Sequence, residues 1–285
     1  MNGRCAFLTS VAEIRFEESH KIEKDNSRIL SWMPVVACLA LICALLWGSA
    51  FPALKMGFSI LRIENNTGGK LHFAAFRFLI AGLMVFTGIL LSGGTIRLPR
   101  RNDIFIVLLL GFLQVTLQYI FLYIGLSNTT GVKAAIIASS GSFFIALFSH
   151  FWIMGDRLTA RKSVGLAIGF TGVVLVNLQK RPFDWHFSLN GEGFIMLAVF
   201  VSAIGSIIVK KNAVRIHPPL LSAYQLTLGA VILFLFALSF EPPTVLHLTP
   251  KAGLLLLYLS FVSAAAFSLW YVLIKYNHLT RIAVY

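Results

Sequence analysis

Two cations invite chemistry because each sits inside an otherwise apolar stretch. Lys55 closes the run Trp47-Gly48-Ser49-Ala50-Phe51-Pro52-Ala53-Leu54, and Arg77 stands between Phe76 and Phe78. A cation at the centre of a membrane costs about 2.5–3.5 kcal/mol on insertion scales, so both must face protein or water rather than lipid. One reading is a positive vestibule for an anionic or carboxylate-bearing metabolite, in which Arg77 grips a carboxylate through two parallel hydrogen bonds. The other is structural: both side chains reach back to the interface or satisfy helix-end carbonyls.

A second constellation is uncharged: Trp47, Gln114, Gln118, Tyr119, Tyr123, Tyr224, Gln225, Trp270 and Tyr271. Gln114 and Gln118 are four apart, which places them on one helix face, and an unpaired amide at membrane depth is costly. Such residues line a polar pathway or bond across helices, which contributes about 0.6 kcal/mol on average. Ser139, Ser140 and Ser142 surround Gly141, a residue that weakens a helix; Gly165, Gly169 and Gly172 form one smooth stripe for packing against a neighbouring helix or a second copy. No Asp or Glu lies deep in an apolar run. Glu192 stands at the start of one, and His150, the deep titratable alternative, lies near a boundary where histidines are ordinarily interfacial. A carboxylate proton relay is therefore not predicted, and exchange or facilitated flow stays as open as proton antiport. Cys5, Cys38 and Cys43 have no metal-ligand spacing, and there is no phosphate-binding glycine loop and no acid pair at working depth. The expectation is a non-enzyme without metal or cofactor.

The elements that must position these residues follow from composition. Of 285 residues, 58% are hydrophobic and 12% charged, whereas soluble domains carry roughly 25% charged residues. A single water-soluble core cannot hide that much apolar surface, and a bilayer can. Eight stretches, 34–60, 71–91, 104–126, 132–154, 163–178, 191–210, 220–240 and 252–274, are long enough or nearly so to span it. Runs such as Val107-Leu108-Leu109-Leu110 are apolar on every face, which excludes the alternating pattern of a β-barrel. The fold class is thus all-α, a polytopic membrane helix bundle.

The net charge of +13 does not point to nucleic acid, because the basic residues cluster between apolar runs, where they set orientation. With the N-terminus cytoplasmic, Arg62, Lys70, Lys133, Lys180, Arg181 and Lys251 fall outside, Lys55 and Arg77 fall within spans, and the remaining sixteen of the 24 Lys and Arg fall inside. That asymmetry predicts a multi-pass protein of the inner or plasma membrane with a cytoplasmic N-terminus. Residues 1–31 mix Glu13, Glu17, Glu18 and Glu23 with Arg15, Lys21 and Lys24, the composition of a solvated tail and not of a cleaved leader.

An internal echo organises the spans. At a fixed offset, Ala75-Phe76-Arg77 matches Ala223-Tyr224-Gln225, Tyr123 matches Tyr271 and Lys133 matches Arg281; at a different one Lys55 matches Lys210. The common order predicts two five-helix repeats, 32–180 and 190–285, and an odd helix number makes the second inverted. Tyr123 and Tyr271, being repeat-related, become the better candidates for a central site. Only four residues follow Arg281, so the repeat predicts a complete length of about 330 residues and a chain that ends as its ninth span begins.

The run Leu45-Leu46-Trp47-Gly48-Ser49-Ala50-Phe51-Pro52-Ala53-Leu54-Lys55 resembles the first helix of EamA-type carriers of the drug/metabolite transporter superfamily. So do Phe76-Arg77-Phe78, Met154-Gly155-Asp156-Arg157-Leu158-Thr159, Gly165 and Gly169-Phe170-Thr171-Gly172-Val173. The resemblance implies ten helices in two inverted repeats and export or exchange of small metabolites. Two departures are the absence of the family's proline midway along span four, where Gly141 stands, and Asp156 in place of a glutamate. The reading is transport, by alternating access, of a small metabolite such as an amino acid or a related compound. Lys55, Arg77, Gln118, Tyr123, Gln225 and Tyr271 are the candidate substrate-binding residues, and the expected partners are the metabolite, the lipid bilayer and a second copy in a homodimer. The alternative is a non-transporting membrane fragment or interaction subunit.

Overall fold

A computed structural model describes residues 28–178, 187–213, 215–240, 242 and 249–284. Most of the expected solvated tail, and Lys180 and Arg181 of the orientation count, lie outside the described residues. With no water in a bilayer to satisfy peptide groups, a chain this apolar must close its backbone hydrogen bonds within helices. The regular structure of the described residues is accordingly helical, without a strand. Among the described residues, six helical stretches are long and apolar enough to cross a membrane.

The first two are α1 (Met33–Ile60) and α2 (Thr67–Leu91). The third is continuous but changes pitch, from α3 (Arg101–Gly111) through a π-helical turn (Phe112–Leu117) into α4 (Gln118–Ser127). A second π-helical turn (Leu189–Gly193) leads into α8 (Phe194–Asn212), which is followed by α9 (Pro218–Ala237) and α10 (Pro250–Tyr276). Local chemistry sets several starts. Asn66 accepts a hydrogen bond from Gly69 N at 2.6 Å, Thr249 accepts one from Ala252 N at 3.3 Å, and prolines occupy the first turns of α9 and α10, where a missing N–H is harmless. His217-Pro218-Pro219 is thus a helix start.

The expected fourth span is broken into α5 (Gly131–Ser139) and α6 (Gly141–Trp152). At the break Ser139 Oγ donates to Ile136 O at 2.7 Å and Ser140 Oγ to Ile137 O at 2.6 Å, competing with the backbone ladder just before Gly141. The expected fifth span is α7 (Ala160–Leu178), and α11 (Leu279–Ile282) is a short helical turn after α10. Along α7, a Cβ at Gly165 would lie 3.0 Å from Val284 Cγ1, but at Gly169 and Gly172 it would meet nothing within 4 Å. The expected packing stripe is therefore occupied at one end only.

The broadest contact in the bundle joins α2 to α9; α1 packs on α10, α4 on α8, α2 on α10, and α9 on α3 and its π turn. α6 packs on α8 and on α11. Where α3 meets α9 the backbones touch: a Cβ at Gly229 would fall 2.5 Å from Gly111 O, and one at Gly111 would fall 2.9 Å from Gly229 N. Thr116 Oγ1 donates across this crossing to Gly229 O at 3.0 Å. The outer surface carries Leu41, Leu45, Phe105, Leu254 and Phe261, all exposed, which suits lipid and not water.

Candidate functional site

The π turn in the third span sets the site geometry. It lets Gln114, Gln118 and Tyr119 all line one cavity of about 310 Å³, together with Trp47 and Phe51 of α1, Gly141 and Ser142 at the helix break, Ser202 and Ser206 of α8, and Phe267, Trp270 and Tyr271 of α10. Inserted π turns recur at functional sites because they re-aim side chains without ending a helix. Trp47 meets Trp270 edge-on at 5.6 Å and Phe267 at 6.0 Å, giving an aromatic wall. Gln114 Nε2 donates to Ser202 O at 3.2 Å. A Cβ at Gly205 would collide with the Gln114 side chain, so this glycine makes room for the amide.

Tyr271 Oη lies against Gln114 Oε1 and, at 2.5 Å, against Gln225 Oε1. One hydroxyl proton serves one acceptor at a time, so the two amide oxygens compete for the Tyr271 proton. Gln118 Oε1 and Gln225 Nε2 are buried without a hydrogen-bond partner, whereas Tyr123 Oη faces the Arg77 guanidinium. Such unsatisfied groups are costly at this depth, and one of them, on Gln118, belongs to a cavity-lining residue.

A second cavity, of about 270 Å³, adjoins the first through Phe51 and is lined by Lys55, Glu64, Lys70, Tyr123 and Thr129. Lys70 Nζ donates to Ser127 Oγ at 2.7 Å and lies 5.5 Å from the centre of the Phe58 ring.

Of the six residues singled out from sequence, Gln118 and Tyr271 therefore share the central cavity, Lys55 and Tyr123 share its neighbour, and Gln225 stands behind Tyr271. Arg77 lines neither. It is 1% exposed, and its Nε donates to Leu259 O at 3.2 Å and to Ser263 Oγ at 2.8 Å on α10. The guanidinium carbon stands 5.0 Å from the Phe78 ring centre, its charge acts on Tyr119 and Tyr123, and Nη1 has no partner. No carboxylate is within ion-pair reach of it among the described residues. Arg77 is thus one layer behind the cavities, and the joint vestibule expected for Lys55 and Arg77 is not assembled, because α10 covers the guanidinium. His150 is exposed, and its Nδ1 accepts from Leu158 N at 3.2 Å, so it braces a turn.

Two buried acids close opposite ends of the bundle. At one end Glu192 accepts from Thr129 Oγ1 at 2.5 Å and Ser188 N at 2.7 Å and pairs with Lys133 Nζ at 3.2 Å. At the other, Asp156 is 1% exposed and accepts from Ser149 Oγ at 2.5 Å, from Thr280 N at 3.1 Å and from Thr280 Oγ1. Lys162 Nζ and His278 Nδ1 each stand 3.8 Å from Asp156 Oδ1. Burial alone would raise the Asp156 carboxyl, but the hydrogen bonds from Ser149 and Thr280 outweigh it and hold the group below the usual aspartate range. Sequence reading overlooked both networks, as well as Ser202 and Ser206. Ser202 and Ser206 carry no distinguishing signal in an apolar helix; the acids did, since a short Asp or Glu beside a span end has few other reasons to lose water.

A profile of the EamA-like transporter family matches residues 35–178 and residues 189–285. An uncharacterized transporter of Archaeoglobus fulgidus is 27% identical over 250 residues, 87% of this chain and 82% of its own. The uncharacterized transporter YvbV of Bacillus subtilis is 26% identical, covering 87% and 78% of the two chains. A WAT1-related chloroplast protein of Arabidopsis thaliana is 26% identical over 83% of this chain and 57% of its own. One solved crystal structure shares the fold with a TM-score of 0.68 at 19% identity, over 89% of this chain and 83% of that one. A polytopic helical bundle whose matched residues run through nearly all of its spans is accounted for by one family: the chain belongs to the EamA-like transporters of the drug/metabolite transporter superfamily.

Proposed function

We propose that the protein exports a small metabolite, such as an amino acid or a related compound, by alternating access around the cavity between α1, the third span, the broken fourth span, α8 and α10. The observation that carries this reading is the cavity's chemistry. Its lining is aromatic, aliphatic, amide and hydroxyl with no ionised side chain, and Gln118, one of the lining residues, carries a buried acceptor, Oε1, without a partner. That suits the amine and apolar parts of a small solute; Arg77, one layer behind, makes the potential positive for a carboxylate. Lys55 and Tyr123 in the adjoining cavity form the approach, and Gln225 and Tyr271 hold the far wall.

Inverted five-helix repeats belong to the same reading. They are supported by three contacts of the bundle that occur in repeat-related form: α1 on α10 with α4 on α8, α2 on α10 with α9 on the third span, and α2 on α9 with itself. The Glu192 and Asp156 networks act as the two end latches. A cytoplasmic N-terminus in the inner or plasma membrane follows from the basic-residue asymmetry, and a homodimer would cover the open α7 face at Gly169 and Gly172.

Purified full-length protein in vesicles, loaded with a panel of unlabelled metabolites and assayed for counterflow of labelled ones, tests the proposal. Gln118→Leu removes one hydrogen-bond acceptor and should weaken the exchanged solute's apparent affinity about 2–10-fold, in keeping with the loss of ~0.5–1.5 kcal/mol. Exchange of no solute by folded protein would favour the non-transporting alternative.

A further inference from the structure

On the flank where α2, α9 and α10 meet, a lateral groove of about 800 Å³ is separate from both cavities described above. It uses a different face of α10: Ala264, Ala265 and Leu269 line it, whereas Phe267, Trp270 and Tyr271 line the central cavity. Its α2 wall runs from Met84 to Ser92, about 12 Å at the helical rise, against about 15 Å for the hydrocarbon of one leaflet. The apolar wall then ends at two polar side chains, Arg97 and His217, both exposed. The backbone there is held back over α9, where Tyr224 Oη donates to Arg97 O at 3.3 Å.

Among the described residues, the exposed charged side chains nearest this mouth in sequence are basic. Arg100 and Arg101 follow Arg97, and exposed Arg215 precedes His217 by two residues; the acid nearest in sequence, Asp103, is buried. An occupant must therefore combine a chain about one leaflet long with an anionic head at the interface. We propose that the groove binds an anionic phospholipid from the leaflet that faces the basic loops, its acyl chains along α2 and α10 and its phosphate at Arg97 and His217. The site does not depend on the transport reading.

The test uses purified full-length protein in detergent, incubated with equal amounts of phosphatidylglycerol and phosphatidylcholine carrying the same chains, and in a separate arm with glycerol phosphate. Retained ligand is measured by native mass spectrometry. Wild type should retain phosphatidylglycerol about fivefold over phosphatidylcholine, the preference expected for one basic residue at an interface. Arg97→Gln, at an exposed position, should remove that preference. A Cβ at Gly88 meets nothing within 4 Å, so Gly88→Leu can fill the groove from a helix that tolerates leucine, and it should abolish retention of both lipids. Equal retention of the two lipids by wild type, or unchanged phosphatidylglycerol binding in Arg97→Gln or in folded Gly88→Leu, overturns the proposal. Retention of glycerol phosphate matching that of the lipid overturns it too, in favour of a soluble phosphate ligand.

Discussion

Arg77 is the residue whose burial most needs explaining. A guanidinium with an unpartnered Nη1 and no acid beside it is costly inside a bundle, and an apolar side chain of similar length would fill the same space more cheaply. Arg77→Met should therefore leave the thermal midpoint of detergent-solubilised protein unchanged or higher while weakening affinity for carboxylate-bearing substrates in counterflow. A large fall in midpoint would instead make Arg77 a structural tie to Leu259 and Ser263. Asp156 gives a prediction with a sign set by its acidity. Its folded carboxyl is more acidic than in the unfolded chain, so its contribution is complete at neutral pH and is lost as pH falls below about 4 and through the folded value. Wild-type thermal stability should fall between pH 5 and 3 more steeply than that of Asp156→Asn. Parallel curves for the two proteins would show that the network at Ser149 and Thr280 does not depend on the charge.

At the scale of elements, the α3–α9 crossing is the sharpest constraint. Added carbon at Gly229 would overlap the Gly111 carbonyl, which is backbone and cannot rotate away. Gly229→Ala should destabilise the protein by about 1–3 kcal/mol and move the π turn that aims Gln114, whereas Gly169→Ala, on the open α7 face, should cost nothing measurable. Thermal midpoints of the two variants, measured side by side, check this; equal losses would mean that the crossing is not close-packed. Helix positions were legible in the sequence because 20-residue apolar runs bounded by Asn66, Thr249 and the prolines of α9 and α10 permit little else. The π turn was not, since Phe112-Leu113-Gln114-Val115-Thr116-Leu117 has no local signal that distinguishes an extra residue per turn from an ordinary helix; the contact with Gly229 decides it.

Across the whole molecule, orientation is the property most open to direct measurement. Single cysteines placed at Arg100 and at Lys251, in a background with Cys5, Cys38 and Cys43 replaced, should react with a membrane-impermeant maleimide from opposite sides. In whole cells Lys251→Cys should label and Arg100→Cys should label only after lysis. The reverse pattern would invert every inside and outside assignment. The same experiment bears on the repeat, because an inverted second copy requires these two connections, which follow equivalent helices α2 and α9, to face opposite ways.

Composition and charge by themselves determined the solvent, the helical class, the approximate span positions and the expected orientation, because those follow from transfer energies summed over many residues. Single polar residues in spans were legible as candidates for the same reason: each one is expensive in lipid and must have a purpose. Which of them meet was a matter for the tertiary structure alone. Gln118 and Tyr271 come together across 153 residues of chain, Lys55 and Tyr123 share a neighbouring cavity, and Arg77 is sealed behind them by α10. Side-chain direction on a helix apolar all round depends on which neighbours pack against it, and those contacts, α2 on α9 and α1 on α10 above all, join residues far apart in the chain.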